Sequence, residues 1–126
     1  GYHFPLHCGS KGQVLLAYST PADIEEFLAG PLESLTPETV TQPKQLRKTL
    51  KEIKSQGYAQ TVGDVQQFTG SLSAPVFDRA QQAVGAVCFI TKRSAFRDAE
   101  TLEEILETLL RTAHSTSLAL GWRPGA

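Results

Sequence analysis

Apolar positions along the chain fall into four helix-like stripes and one pair of alternating runs, separated by glycine, proline and polar punctuation. Gly1 to Cys8 reads as extended and aromatic, with Pro5 disfavouring helix at Phe4. After Gly9, SKGQVLLAY reads as a short helix in which Gly12 is a local weakness of about 1 kcal/mol against alanine. Thr20-Pro21-Ala22-Asp23 starts a second helix, with Thr20 as N-cap, Pro21 in the first helical position and Asp23 at the positive end. Ile24, Phe27 and Leu28 face inward there, and Gly30-Pro31 stops it. Thr36-Pro37-Glu38 marks a further turn or loop. From Pro43 to Gln56, Leu46, Leu50 and Ile53 lie on one face and five basic residues on the rest, before Gly57 terminates the helix. YAQTVGDVQQF reads as a strand running into a mobile loop. The last stripe is capped by Asp98, or by Thr101 in a Thr101-x-x-Glu104 box, and carries Leu102, Ile105, Leu106, Leu109, Leu110, Ala113 and Leu120 as far as Gly121.

The alternating runs lie between Ser71 and Thr91, SLSAPVFDRAQQAVGAVCFIT, and read as two strands around a polar turn. A loop from Asp78 to Ala83 sets Phe77 opposite Val84, Ser73 opposite Cys88 and Ser71 opposite Ile90. Side chains alternate faces, so Ser71, Ser73, Cys88 and Ile90 share one side, with Val84 and Ala86 further along. Leu72, Ala74, Val76, Val87 and Phe89 share the other. Both sides are too apolar for open solvent, which predicts a sheet covered on each face with Cys88 a buried small hydrophobe. The first face mixes hydroxyl, thiol and small groups, as the wall of a small-molecule pocket does. Helices, then strands, then a long closing helix make an α+β layered domain rather than an alternating βαβ fold.

With 126 residues, the chain is expected to be a single domain over 1–126 with a core of its own. A net charge of −1 with 20% charged residues leaves no nucleic-acid footprint, so the basic residues between Pro43 and Gln56 read as a solvated helix face. Two cysteines without paired spacing fit a reduced, cytoplasmic protein. No apolar run reaches the ~20 residues of a membrane span. The opening GYHFPLH is abrupt and reads as cut from something longer.

Several constellations bear on chemistry. His3, His7 and Cys8, with Cys88, are metal-ligand types but lack regular spacing, so no metal is expected. A Cys–His nucleophile pair at Cys8 or Cys88 has no identifiable orienting third group, so no catalytic residue and no enzyme activity are assigned. CGSKG leaves free backbone N–H groups at a helix start, either as an anion loop or as a tight turn.

Pro5 to Ala17, PLHCGSKGQVLLA, resembles the PLH-x-x-x-x-GKALLA motif of IclR-type bacterial transcription regulators. The Leu46–Leu50–Ile53 helix closing in Gly57-Tyr58-Ala59, the SAPVFD strand and turn, the AVGAVCF strand and the helix ending in Leu120-Gly121 follow in the family's order. The resemblance implies the C-terminal effector-binding domain, a GAF-like or profilin-like antiparallel sheet flanked by helices. It implies too that the first strands of that domain and the preceding helix-turn-helix domain are missing. The family's pocket positions fall on Leu6, Gly9, Ser10 and Lys11, on Ser71, on Cys88 and Ile90, and near Thr61. Ser73 shares the strand face and Gly12 completes the amide loop. No cofactor is implied.

The implied function is control of DNA binding through the missing domain, in a cytoplasmic homodimer or tetramer, by a small organic acid. Gln13 replaces the usual Lys, Thr61 to Asp64 lacks most of the family's acidic run, and Cys88 and Ile90 are less polar than the usual serines. A more apolar effector than glyoxylate or pyruvate is therefore expected, an aromatic or branched carboxylate seated on the Gly9 to Gly12 amides. The alternatives are a GAF-like interaction or oligomerisation domain without ligand, and a small thiol or metal enzyme.

Overall fold

A computed structural model describes residues 5–125. Its elements are α1 (Ser10–Ala17), α2 (Pro21–Ala29), α3 (Pro43–Gln56), β1 (Ala59–Val62), β2 (Thr69–Phe77), β3 (Ala83–Lys92), a 3-10 turn (Arg93–Arg97) and α4 (Ala99–Ala119). The three strands form one antiparallel sheet in the order β1-β2-β3. One face packs against α1 and α3, and the other against α4, which confirms an α+β layered domain with a long C-terminal helix.

The helix starts and stops follow local chemistry. Thr20 Oγ1 accepts the Asp23 N–H at 3.2 Å, Pro21 opens α2, and Gly30 closes it. In α3, Leu46, Leu50 and Ile53 are the buried residues, each contributing roughly 1.5–3 kcal/mol by leaving water. Gly57 ends that helix in the left-handed region at φ 88°, where its N–H reaches the Ile53 carbonyl. Of the two possible caps on α4, Asp98 serves, accepting the Thr101 N–H; Thr101 lies inside the helix.

The hairpin register is Ser71 opposite Ile90, Leu72 opposite Phe89 and Ser73 opposite Cys88. Near the turn it differs from expectation: Phe77 faces Ala83 rather than Val84, and the loop has five residues, 78–82. The carboxylate of Asp78 accepts the N–H groups of Ala80 and Gln82 and tightens the loop, with Gln81 at φ 64°. Val84 is then the surplus residue of a bulge. Leu72, Ala74 and Val76 lie beneath Leu109 and Ala113 of α4. The helix's stripe is narrower than its sequence suggests, since Leu110 and Leu120 are exposed and Ser117 is buried, its Oγ accepting the Phe77 N–H and donating to the Ala113 carbonyl.

Two expectations fail at the margins. Among the described residues only β2 is buried on both faces. Among these same residues β3 is an edge strand, with Val84, Phe89 and Ile90 exposed, Ile90 to 67%, and Cys88 exposed rather than buried. A strand's own pattern does not say where it sits in a sheet. At the other end, Leu6 and His7 turn back toward α1 instead of running extended, closed by the Cys8 N–H on the Pro5 carbonyl at 3.0 Å. His3 and the rest of the segment before Pro5 lie outside the described residues.

Candidate ligand pocket

The start of α1 is held against the middle of β2 by hydroxyl groups. Ser10 is fully buried. Its Oγ donates to Ser71 Oγ at 2.7 Å and shares a 2.6 Å hydrogen bond with Ser73 Oγ, while its N–H donates to Ser71 Oγ at 3.2 Å. Ser71 Oγ also lies 3.1 Å from Thr61 Oγ1 on β1. A hydroxyl has one proton to give. With Ser10's proton on Ser71, Ser73 must donate to Ser10, and Ser71, already accepting twice, passes its own proton to Thr61. Three sheet hydroxyls and one helix hydroxyl thus form a directional chain with little capacity left for a ligand.

A second tie was not foreseen. The Gly9 N–H donates to Asp64 Oδ2 at 2.7 Å, so an internal carboxylate occupies the leading amide of α1. Asp64 is itself buried, and its backbone carbonyl accepts Thr39 Oγ1 at 2.6 Å. Thr39 Oγ1 accepts the N–H groups of Leu35 and Thr36, Thr36 Oγ1 donates to the Gly63 carbonyl, and Arg93 pairs with Glu38 at 2.6 Å while donating to the Gln67 carbonyl. The loop after β1 is therefore anchored at several points. On the far side, Gln13 Nε2 donates to the His7 carbonyl at 3.0 Å, and His7 Nε2 lies 2.7 Å from the Glu33 carbonyl. These contacts fix the Pro5–Cys8 turn.

Between the turn, the start of α1 and the β2–β3 hairpin lies a cavity of about 430 Å³. Of the residues singled out in the sequence, Leu6, Gly9, Ser10, Lys11, Gly12, Ser71, Cys88 and Ile90 line it. Thr61 and Ser73 do not; they stand behind the wall as hydrogen-bond partners of Ser71 and Ser10. Val65 and Thr69, from the loop and the start of β2, join the lining unforeseen, as does Leu15 of α1. The amide seat is smaller than expected as well. Gly9 and Ser10 spend their N–H groups on Asp64 and Ser71, which leaves the Lys11 and Gly12 amides without an acceptor among the described residues.

Cys8 also lines the cavity, and its thiol is pushed up to about 11, first by burial and then by the negative charges of Asp64 and Glu33. Such a thiol is a poor nucleophile at neutral pH. Between its ordinary 9.0 and about 11, the unfolded chain releases this proton and the folded chain keeps it. Stability should therefore be indifferent to this group below pH 9 and fall as pH rises through that window. Denaturant titrations at pH 8 and pH 10.5 check this: Cys8→Ala should flatten the alkaline loss. Among the described residues no group of three or more His, Cys, Asp or Glu side chains is placed to hold a metal, and no helix is long and apolar enough to cross a membrane.

Residues 1–118 match the family model described as the bacterial transcriptional regulator IclR C-terminal. The chain is similar to the glycerol operon regulatory protein of Streptomyces coelicolor, 30% identical over 93% of this chain and 46% of that one. In structure it is similar to the IclR of Thermotoga maritima, with a TM-score of 0.87, 27% identity, and coverage of 93% of this chain and 47% of that one. An IclR homolog from Microbacterium hydrocarbonoxydans, crystallised in complex with 4-hydroxybenzoate, superposes with a TM-score of 0.83 at 27% identity, over 93% of this chain and 46% of the other. The chain spans about half the length of the curated relatives it matches.

Proposed function

Because the chain belongs to the IclR family of bacterial transcriptional regulators and corresponds to its C-terminal domain, we propose that it senses a small organic acid in the cavity at the start of α1. The carboxylate rests on the Lys11 and Gly12 amides near the Lys11 side chain, and the body lies against Leu6, Leu15, Cys88 and Ile90. The observation that carries this reading is the pairing of two unspent amides with an otherwise mainly apolar wall. The saturated Ser71 hydroxyl supports a ligand richer in carbon than a two- or three-carbon ketoacid, such as an aromatic or branched monoacid. The 4-hydroxybenzoate complex of the Microbacterium relative is consistent with that choice.

Sensing becomes regulation only through linkage. An effector changes DNA affinity by as much as its affinity differs between two arrangements of the assembly. We assign DNA binding to a helix-turn-helix domain of the full-length protein, in the cytoplasm. The assembly is a homodimer or tetramer, to which the outer side of α4, with Leu110 and Leu118 exposed, offers surface.

Thermal unfolding with benzoate, 4-hydroxybenzoate, 3-methylbutanoate, pyruvate and glyoxylate tests the reading. At ten times Kd a ligand adds about 1.4 kcal/mol, a shift of several degrees for a domain of this size. The aromatic and branched acids should raise Tm, and Cys88→Trp, at an exposed position on the cavity wall, should remove the rise without lowering Tm of the free protein. Stabilisation by the ketoacids alone would refute the apolar pocket. Stabilisation by none would favour an interaction domain without ligand, a reading to which the filled hydroxyl network also lends itself.

A further inference from the structure

Among the described residues, Lys11 and Cys8 are the ionisable ones along the cavity wall, and the exposed Lys11 is the one that carries positive charge. The start of α1 adds roughly half a charge, but Asp64, hydrogen-bonded to the Gly9 N–H, sets a full negative charge directly behind that terminus. Asp64 is not free to swing away, because Thr39 holds its carbonyl and the loop around it is tied to Thr36 and Arg93. We propose that Asp64 restricts the cavity to monoanions, so that acids with one carboxylate and an uncharged body enter, and dicarboxylates and phosphate monoesters are turned away. This rests on the reading of the cavity as an effector site and adds to it the charge of the ligand.

One lysine and part of a helix terminus, less one carboxylate, leave about half a positive charge, which offsets part of a first carboxylate and none of a second. A second negative group would lie in the same small cavity with no cation to meet it, under the field of a buried carboxylate. That field reaches the wall, since the Cys8 thiol is raised by Asp64 after burial itself. Two unit charges about 7 Å apart at an effective dielectric constant of ~20 repel enough to change binding by a factor of ten or more.

Three probes of one shape separate charge from size: benzoate, terephthalate and monomethyl terephthalate, titrated calorimetrically into the full chain at pH 7.5. The half-ester should bind within a few-fold of benzoate, and the diacid at least about tenfold more weakly. Asp64→Asn, which keeps an acceptor for the Gly9 N–H, should tighten benzoate and tighten the diacid by more, so that the gap between them narrows. Equal binding of diacid and half-ester by the parent protein would overturn the proposal and leave the effector site standing. So would a folded Asp64→Asn chain whose preference is unaltered. Should Asp64→Asn fail to fold, the parent protein's preference between diacid and half-ester decides. If none of the three probes binds, the cavity reading fails and the charge rule falls with it.

Discussion

Gly12→Ala is expected to destabilise the domain, against what helix propensity alone predicts. Propensity favours alanine over glycine in a helix interior by about 1 kcal/mol. A Cβ at position 12, however, would stand 2.6 Å from the Leu6 carbonyl oxygen and 3.0 Å from the Leu6 carbonyl carbon and Cα. These are backbone atoms, held by the Pro5–Cys8 turn and its ties to Gln13 and Glu33, so no side chain can rotate away to make room. Overpacking of this kind costs roughly 1–3 kcal/mol or more, and we expect a net loss of about 2 kcal/mol. For a domain of this length that is a fall in Tm of roughly 5–10 °C. The same displacement would pull Leu6 off the cavity, so ligand-induced stabilisation should shrink in parallel. An alanine variant as stable as the parent would mean that the turn and α1 do not approach as described.

The second large effect lies at the hydroxyl chain. Ser10→Ala leaves the Ser73 hydroxyl fully buried without its acceptor and deprives Ser71 of a donor. Orphaning a buried polar group costs about 1–3 kcal/mol, and with the second bond also lost we expect about 2–3 kcal/mol in urea unfolding. Ser73→Ala added to Ser10→Ala should cost less than the sum of the two single changes, because the stranded donor disappears with its partner. Additive behaviour in that cycle would show that the two hydroxyls do not depend on one another.

What the sequence disclosed and what it hid follow one division. The pairing of Ser71 with Ile90 and Ser73 with Cys88 was readable because alternation and one polar turn fix both register and face. The caps at Thr20 and Asp98 were readable because each acts within three residues of itself. Sheet order was not, since it depends on which strands meet, and so the exposure of Cys88 and Ile90 was missed. Asp64 was missed for a related reason: its partner, the Gly9 N–H, is 55 residues away. One signal was available, a lone acid between Val62-Gly63 and Val65, a carboxylate among apolar and small neighbours that needs a buried donor. Gly12 was read as a weakness of α1, whereas the fold uses its missing side chain as the space through which the Leu6 carbonyl passes.

The outer strand of the sheet lies beside the cavity. Cys88 and Ile90 belong both to the cavity's outer wall and to β3, which among the described residues pairs with a strand on one side only. A polypeptide pairing with β3 would set its own side chains beside Cys88 and Ile90, which the proposed acid would touch. On the proposed reading, occupancy of the cavity and pairing along β3 would meet at two shared residues, with no long relay across the domain.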